Sequence, residues 1–515
     1  MHRFLPLSLF FCLFLCFSSV AQSDAVPPPE EGAVDKTLAA IFTPVSEFAT
    51  SIIFYPLFTV HGIAVPFILL WLVVAALFFT FYLGFINIRG FGTAVDIIRG
   101  KYTNADDPGE VSHFQALATA LSGTVGLGNI AGVAIAISTG GPGATFWMII
   151  IGLFSMSTKF VECALGVKFR DEHVDGTVSG GAMYYLRKGL AQQGLGRLGI
   201  LLAGFFAVMA IGASFIGGNM FQVNQAAEQF IGITGGQDTF LGQSTWIFGL
   251  VMAALVGAVI IGGIKSIARV TERIVPFMCG IYVLTALVVI AVNIQHVPEA
   301  FAEIVAGAIS GDAMAGGLVG TLIIGMQRAT FSNEAGVGSA AIAHSAVKTS
   351  EPVTEGFVAS LEPFIDTVVV CTMTALVIVI SGLHESGVDG ITLTSDAFAT
   401  VIDWFPYLLA VAVLLFAFST MISWSYYGVK AWSYVFGESP GSVIVYKVIF
   451  CLFVIVGASV NRDPIVGFSD GMLFAMSFPN LIGCYILAPL IKKDMQSFLK
   501  RIKQGKAKVV AGSDS

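Results

Sequence analysis

Ser122-Gly123-Thr124-Val125-Gly126-Leu127-Gly128-Asn129 interrupts one long apolar run, and Phe331-Ser332-Asn333-Glu334-Ala335-Gly336-Val337-Gly338-Ser339 interrupts another in the second half of the chain. Inside a bilayer every backbone N–H and C=O must be satisfied, so a span is normally an unbroken helix. Interruption is tolerated where the freed groups face protein or a watery site. Two such breaks in corresponding halves point to a transporter, whose freed backbone groups bind ions and small polar solutes.

Composition supports a membrane setting. The 515 residues are 56% hydrophobic and 11% charged, with mean hydropathy +0.85, too little polar surface to cover a soluble globule. The net charge of -7 and the absence of a basic aromatic groove exclude nucleic-acid binding. Seven cysteines lie singly in apolar runs and read as packing residues, with no disulfide or zinc framework.

The N-terminus has a charged start, an apolar run from Phe4 to Phe17 and a small-x-small site ending at Ala21. This predicts a signal peptide over 1–21, with an uncleaved first span as the alternative. A periplasmic segment follows over 22–63. Runs of about 20 residues, long enough to span, then fall near 64–88, 113–138, 144–167, 198–221, 245–263, 275–295, 314–339, 356–381, 406–427, 443–460 and 466–490. The expected fold class is therefore all-α integral membrane with about eleven transmembrane helices.

Cytoplasmic loops carry excess Lys and Arg. With the mature N-terminus outside, all but five of the 26 basic residues fall inside, the exceptions being Arg3, Lys36, Lys159, Arg328 and Arg462. The basic stretch 491–515 is then a cytoplasmic tail, and Trp424 and Trp432 mark an inner interface. With 64–88 set aside as an extra N-terminal helix, ten spans remain, and the broken ones are first and sixth. That is the placement of a five-plus-five inverted repeat, over 112–296 and 313–490.

A half-helix starting near Gly126 presents the N–H groups of Gly126, Leu127, Gly128 and Asn129 to a carboxylate, assisted by the helix dipole. Carbonyls of the preceding half, near Thr124 and Val125, suit sodium. At the second break, Thr330, Phe331, Ser332 and Asn333 offer carbonyls and polar side chains to an ammonium. The alternative role for these glycines is close helix packing. Ser419 and Thr420 complete a sodium site if they face the first break, or bond their own helix carbonyls.

Ionisable residues within spans are costly and informative. Lys159 and Glu162 are expected to neutralise each other at i,i+3, while Arg328, Glu334 and Asp366 are candidates for gating or ion coupling. The histidines lie singly near span ends. The amides of Asn219 and Gln222 are placed near an outer helix end, to line a vestibule or cap the helix.

The runs Gly123-Thr124-Val125-Gly126-Leu127-Gly128-Asn129-Ile130-Ala131-Gly132-Val133 and Gly141-Pro142-Gly143-Ala144-Thr145-Phe146-Trp147-Met148 resemble the alanine or glycine:cation symporter family. So do Phe331-Ser332-Asn333-Glu334-Ala335-Gly336 with Gly338-Ser339, and Phe416-Ala417-Phe418-Ser419-Thr420 through Trp424-Ser425-Tyr426-Tyr427-Gly428. The resemblance covers about residues 60–490. It implies a LeuT-like inverted-repeat fold and sodium-coupled import of alanine or glycine, with serine as a further substrate, into the cytoplasm across a bacterial inner membrane. It further implies Gly126, Gly128 and Asn129 with the second break as the substrate site, and Ser419 and Thr420 as sodium ligands.

No nucleotide-binding loop of the G-x-x-x-x-G-K-[ST] kind and no protease or hydrolase motif occurs, so the expected drive is ionic and no enzyme activity is expected. Sodium is the expected co-transported ion. No organic cofactor, nucleic acid or obligate protein partner is indicated. Proton coupling through Glu334 or Asp366 is the near alternative, and a channel the distant one.

Overall fold

The computed structural model describes residues 44, 47, 48 and 50–505, apart from 61, 103, 105, 106, 237, 238, 310–316 and 461. The expected signal peptide, residues 22–43 of the expected segment 22–63 and the basic residues Lys506 and Lys508 lie outside these. Among the described residues the chain is mostly helical, with two small antiparallel hairpins, β1 (Pro56–Val60) with β2 (Ile63–Pro66) and β3 (Asp171–Glu172) with β4 (Val178–Ser179).

The helix α1 (Phe67–Tyr82) is shorter than the 64–88 run, because Pro66 ends a strand and Gly84 and Phe85 turn the chain at positive φ. The first broken segment comprises α2 (His113–Thr124) and α3 (Ala131–Gly140), followed by α4 (Gly143–Lys168). Next come α5 (Gly196–Phe215), continued through a π turn at Ile216–Met220 into α6 (Phe221–Ile233), then α7 (Thr245–Ile260), α8 (Gly263–Val292) and α9 (Val297–Ile309). The second broken segment is α10 (Leu318–Asn333) with α11 (Ala340–His344).

A π segment at Phe364–Cys371 links α12 (Pro352–Ala359) to α13 (Thr372–Ser381). The chain ends with α14 (Gly390–Ala399), α15 (Phe405–Phe436), α16 (Pro440–Gly457) and α17 (Arg462–Lys503).

Among the described residues seven helices are long and apolar enough to cross a membrane, or eight if the bent pair α2 and α3 forms one span, while α1 and α7 are apolar but shorter. Several helices outrun their apolar stretch. Lys265, Arg269 and Arg273 lie on the first turns of α8, and α17 carries Lys492 to Lys503 as helix, not as a loose tail. Backbone hydrogen bonding continues wherever no breaker stops it, so a helix need not end where hydropathy falls. The arrangement is a bundle in which α4 packs on α1, α10 and α12, and α15 packs on α2, α5 and α8. Both breaks are enclosed within it.

Candidate functional site

Ser112 caps α2 through a reciprocal pair with Gln115, whose N–H reaches the Ser112 hydroxyl at 3.2 Å while its side-chain oxygen takes the Ser112 N–H at 3.0 Å. The helix stops at Thr124. Val125 and Gly126 are extended, one tight turn covers Leu127–Asn129, and α3 leaves at 59° to α2. Glycine is required at 126 by proximity, since a Cβ there would lie 2.6 Å from Thr420 Oγ1.

The amides of this turn are partly committed. The Gly126 N–H donates to Asn129 Oδ1 at 2.9 Å, the Leu127 N–H to Gln222 Oε1 at 3.3 Å and the Asn129 N–H to the Gly126 carbonyl at 3.2 Å. Buried donors take the acceptors within reach. Asn129 also reaches the second break, where its Nδ2 donates to Ser332 Oγ at 3.0 Å.

At that break α10 ends on Glu334, which adopts the left-handed conformation (φ 54°) and donates its N–H to the Thr330 carbonyl at 2.8 Å. The Thr330 carbonyl, expected to receive an ammonium, is thus engaged by a helix cap. Asn333 holds the turn, accepting the Ala335 N–H at 2.9 Å and donating to Thr367 Oγ1 at 3.0 Å. The Ser332 hydroxyl donates to Asp366.

Between the breaks lies a narrow cavity of about 20 Å³, lined by Gly123, Thr124, Gly128, Gly217, Gln222, Phe331, Glu334, Trp424 and Leu473. Trp424 joins the two sides, since its indole N–H lies 3.2 Å from both the Gly123 carbonyl and Glu334 Oε1. It is 2% exposed, so its expected place at an inner interface is corrected. The apolar ring buries while its one N–H finds acceptors at the site. Ser339 donates to the other oxygen of Glu334.

The four sodium candidates separate. Thr420 Oγ1 donates to the Ser122 carbonyl at 2.9 Å, which places a hydroxyl against the open end of α2. The Ser419 hydroxyl instead donates to the Phe416 carbonyl at 3.0 Å in its own helix, and Thr124 bonds back to Ala120 and Leu121. Val125 is fully buried, and what it offers a cation is its backbone carbonyl. Ser122 and Ser423 stitch the same seam: the Ser122 hydroxyl donates to the Ser419 carbonyl at 2.6 Å, and that of Ser423 to the Thr119 carbonyl at 2.9 Å.

Buried charges pair across the bundle rather than locally. Lys159 meets Glu362 at 3.1 Å, not Glu162 as the i,i+3 spacing predicts, and Glu162 accepts from Asn480. The two carboxylates point to different neighbours, and the ammonium follows the geometry of Glu362. His113 and His344, expected to stand singly, both meet Glu355 at 2.5 Å, and His344 also bonds Glu362. Arg328 pairs with Asp470 at 2.6 Å and lies 5.4 Å over the Phe331 ring that walls the cavity.

Just past α4, the Arg170 guanidinium donates to the carbonyls of Ser345, Val347, Pro108 and Thr349 at 2.6 to 3.0 Å. These residues precede α2 and follow α11, so one side chain fastens the flanks of both broken segments. Burial draws this guanidinium below its ordinary pKa, with Glu172 opposing the shift.

Three site residues are hidden from a reading of sequence. Gln222, placed by the sequence near a helix end to line a vestibule or cap the helix, lines the cavity, just after the π turn that precedes α6. Trp424 has the residue type of an interface, and nothing in its spacing marks it as a bridge between the breaks. Asp470 does carry one signal, because a lone acid inside an apolar run is itself informative.

The sodium:alanine symporter family model matches residues 55–512. The sodium/alanine symporter AgcS of Methanococcus maripaludis is 39% identical over 449 residues, covering 86% of this chain and 96% of that protein. The probable sodium/glutamine symporter GlnT of Bacillus subtilis is 33% identical over 433 residues, covering 84% and 87%. Among solved structures, MhsT in complex with L-phenylalanine superposes with a TM-score of 0.51 at 15% identity, over 75% of this chain and 99% of that one, which shows the LeuT-like fold. With a family model spanning nearly all of the described chain, this protein belongs to the sodium:alanine symporter family, membrane transporters and not enzymes.

Proposed function

We propose that the protein imports a small neutral amino acid, alanine or glycine with serine as a further substrate, together with sodium by alternating access. The observation that carries this reading is the cavity between the breaks, which touches main chain of one repeat (Gly123 and Gly128) and a buried carboxylate of the other (Glu334). The turn Gly126 to Asn129 receives the substrate carboxylate. The ammonium lies toward Glu334 and the carbonyls that end α10.

The walls favour a short side chain. Phe331 and Trp424 flank the cavity and Gln222 fills a third side, which supports alanine over an amide-bearing substrate such as glutamine. Sodium lies at the seam of the Ser122 carbonyl and Thr420. The pair Arg328–Asp470 closes the outer side, in a bacterial inner membrane with the mature N-terminus outside and the C-terminus in the cytoplasm. One sodium with a zwitterion carries one positive charge, which the membrane potential drives inward by roughly 2.3 kcal/mol per 100 mV.

The test is uptake of radiolabelled alanine, glycine, serine and glutamine into proteoliposomes under sodium, lithium, potassium or proton gradients applied in turn. Saturable alanine uptake driven by sodium alone is expected. Uptake driven by protons and indifferent to sodium would move the coupling to Glu334 or Asp366, and conduction without saturation would favour a channel.

A further inference from the structure

A second cavity, of about 240 Å³, lies away from the breaks, where the end of α7 and the start of α8 meet α15 and α16. Its charged lining is Lys430, Lys447 and Glu110, which leaves one positive charge in excess, and Ile264, Ile267 and Val443 supply apolar wall. Tyr426 also lines it, is 5% exposed, and has its hydroxyl buried without a hydrogen-bond partner. An unpaired buried hydroxyl is costly, and a ligand oxygen that accepts from it removes the cost.

The two ammonium groups have donors to spare. Lys430 Nζ lies 5.6 Å over the Tyr426 ring and donates to the Val178 carbonyl at 2.8 Å and to Ser179 Oγ at 3.0 Å. Among the described residues the one hydrogen bond of Lys447 Nζ is to the Ile261 carbonyl, at 3.3 Å. An ammonium has three N–H donors, so both lysines can still bind an anion. Glu110 is engaged elsewhere, accepting the Val178 N–H at 3.1 Å.

We propose that this cavity holds the phosphate headgroup of an anionic phospholipid, bound by Tyr426, Lys430 and Lys447. Two cationic donors and a hydroxyl call for an anionic acceptor, and the neighbouring surface calls for hydrocarbon. Ile261, Ile444 and Val448 are exposed, and Ile444 shares a helix face with Lys447 at i,i+3. Acyl chains lying along α16 cover that face while the head sits among the lysines. A free phosphate would satisfy the lysines and leave the apolar face bare. The depth agrees, because Trp432, whose indole N–H donates to Ser442 Oγ at 2.8 Å, joins the same ends of α15 and α16, and tryptophan collects at the headgroup level. Basic pockets between helices on the cytoplasmic side suit anionic heads, and this end is cytoplasmic in the orientation proposed above.

The experiment strips the purified full chain of lipid in detergent and titrates it with dioleoyl-phosphatidylglycerol, zwitterionic dioleoyl-phosphatidylcholine or inorganic phosphate. Adducts are read by native mass spectrometry and stability by melting temperature. One phosphatidylglycerol per chain is expected to bind saturably and to raise the melting temperature, since a ligand of the folded state stabilises it. Lys447→Gln is expected to weaken that binding about fivefold, and Tyr426→Phe about tenfold. Lys493→Gln, at an exposed position of α17, leaves it unchanged. Tyr426→Phe removes only an unpaired group, so its lipid-free melting temperature is not expected to fall.

Equal affinity for the two lipids would reduce the cavity to part of the ordinary lipid shell and overturn the site. Full phosphatidylglycerol affinity in the double variant Tyr426→Phe with Lys447→Gln would overturn it as well. Inorganic phosphate that displaces phosphatidylglycerol at equal concentration would assign the cavity to a free anion instead.

Discussion

At the scale of single residues, the hydroxyls of Ser419 and Thr420 differ although the two are neighbours. Thr420 Oγ1 faces the Ser122 carbonyl at the break, whereas Ser419 Oγ is turned to its own helix. Thr420→Val is thus expected to raise the sodium concentration for half-maximal alanine uptake by about tenfold, the equivalent of about 1.4 kcal/mol. Ser419→Ala leaves it nearly unchanged, and a sodium titration of uptake in both variants checks the contrast. Trp424→Phe keeps the ring but removes the one donor shared by Gly123 and Glu334. A buried acceptor stripped of its partner costs about 1 to 3 kcal/mol, expected here as weaker alanine binding in calorimetry.

At the scale of elements, the breaks themselves are legible because glycine, serine and asparagine clustered in an apolar run disfavour a continuous helix. Their ends read closely: α2 stops at Thr124 and α10 at Asn333. The division of labour inside the site is not legible, since it depends on which side chain faces which carbonyl. Periodicity cannot tell Thr420 from Ser419, nor foresee that a π turn brings Gln222 inward, because one extra residue per turn rotates everything after it.

The stretch of α10 leading into its break yields its own prediction. Arg328 ties α10 to α17 through Asp470 while its guanidinium covers Phe331. Arg328→Ala is expected to leave Asp470 buried and uncompensated and to slow uptake by at least about tenfold, because losing one partner of a buried pair costs several kcal/mol. Exchanging the charges, with Asp at 328 and Arg at 470, should restore part of the rate, and a failure to do so would argue for a role of Arg328 other than the latch.

At the scale of the whole molecule, the charges that look separate along the chain form one connected array, His113–Glu355–His344–Glu362–Lys159, joining α2, α4, α11 and α12. Linear spacing points Lys159 at Glu162 because only neighbours on one helix are visible in sequence, while the low dielectric of a bundle makes long-range pairs decisive. Lys159→Met should destabilise the purified protein by about 3 to 5 kcal/mol. Glu362→Gln in the same chain should recover part of it, read as melting temperature in detergent. Equal and additive losses would mean that the two groups are not a pair.

Gly126 and Thr420 have a consequence for how this chain can change over generations. The volume that a side chain at 126 would need is already filled by Oγ1 of a residue in the other repeat. Neither position is expected to change freely alone: enlarging 126 becomes tolerable only after 420 has shrunk, and shrinking 420 first would remove the proposed sodium ligand. The two positions are thus coupled, and the effect of a change at either is expected to depend on the residue at the other.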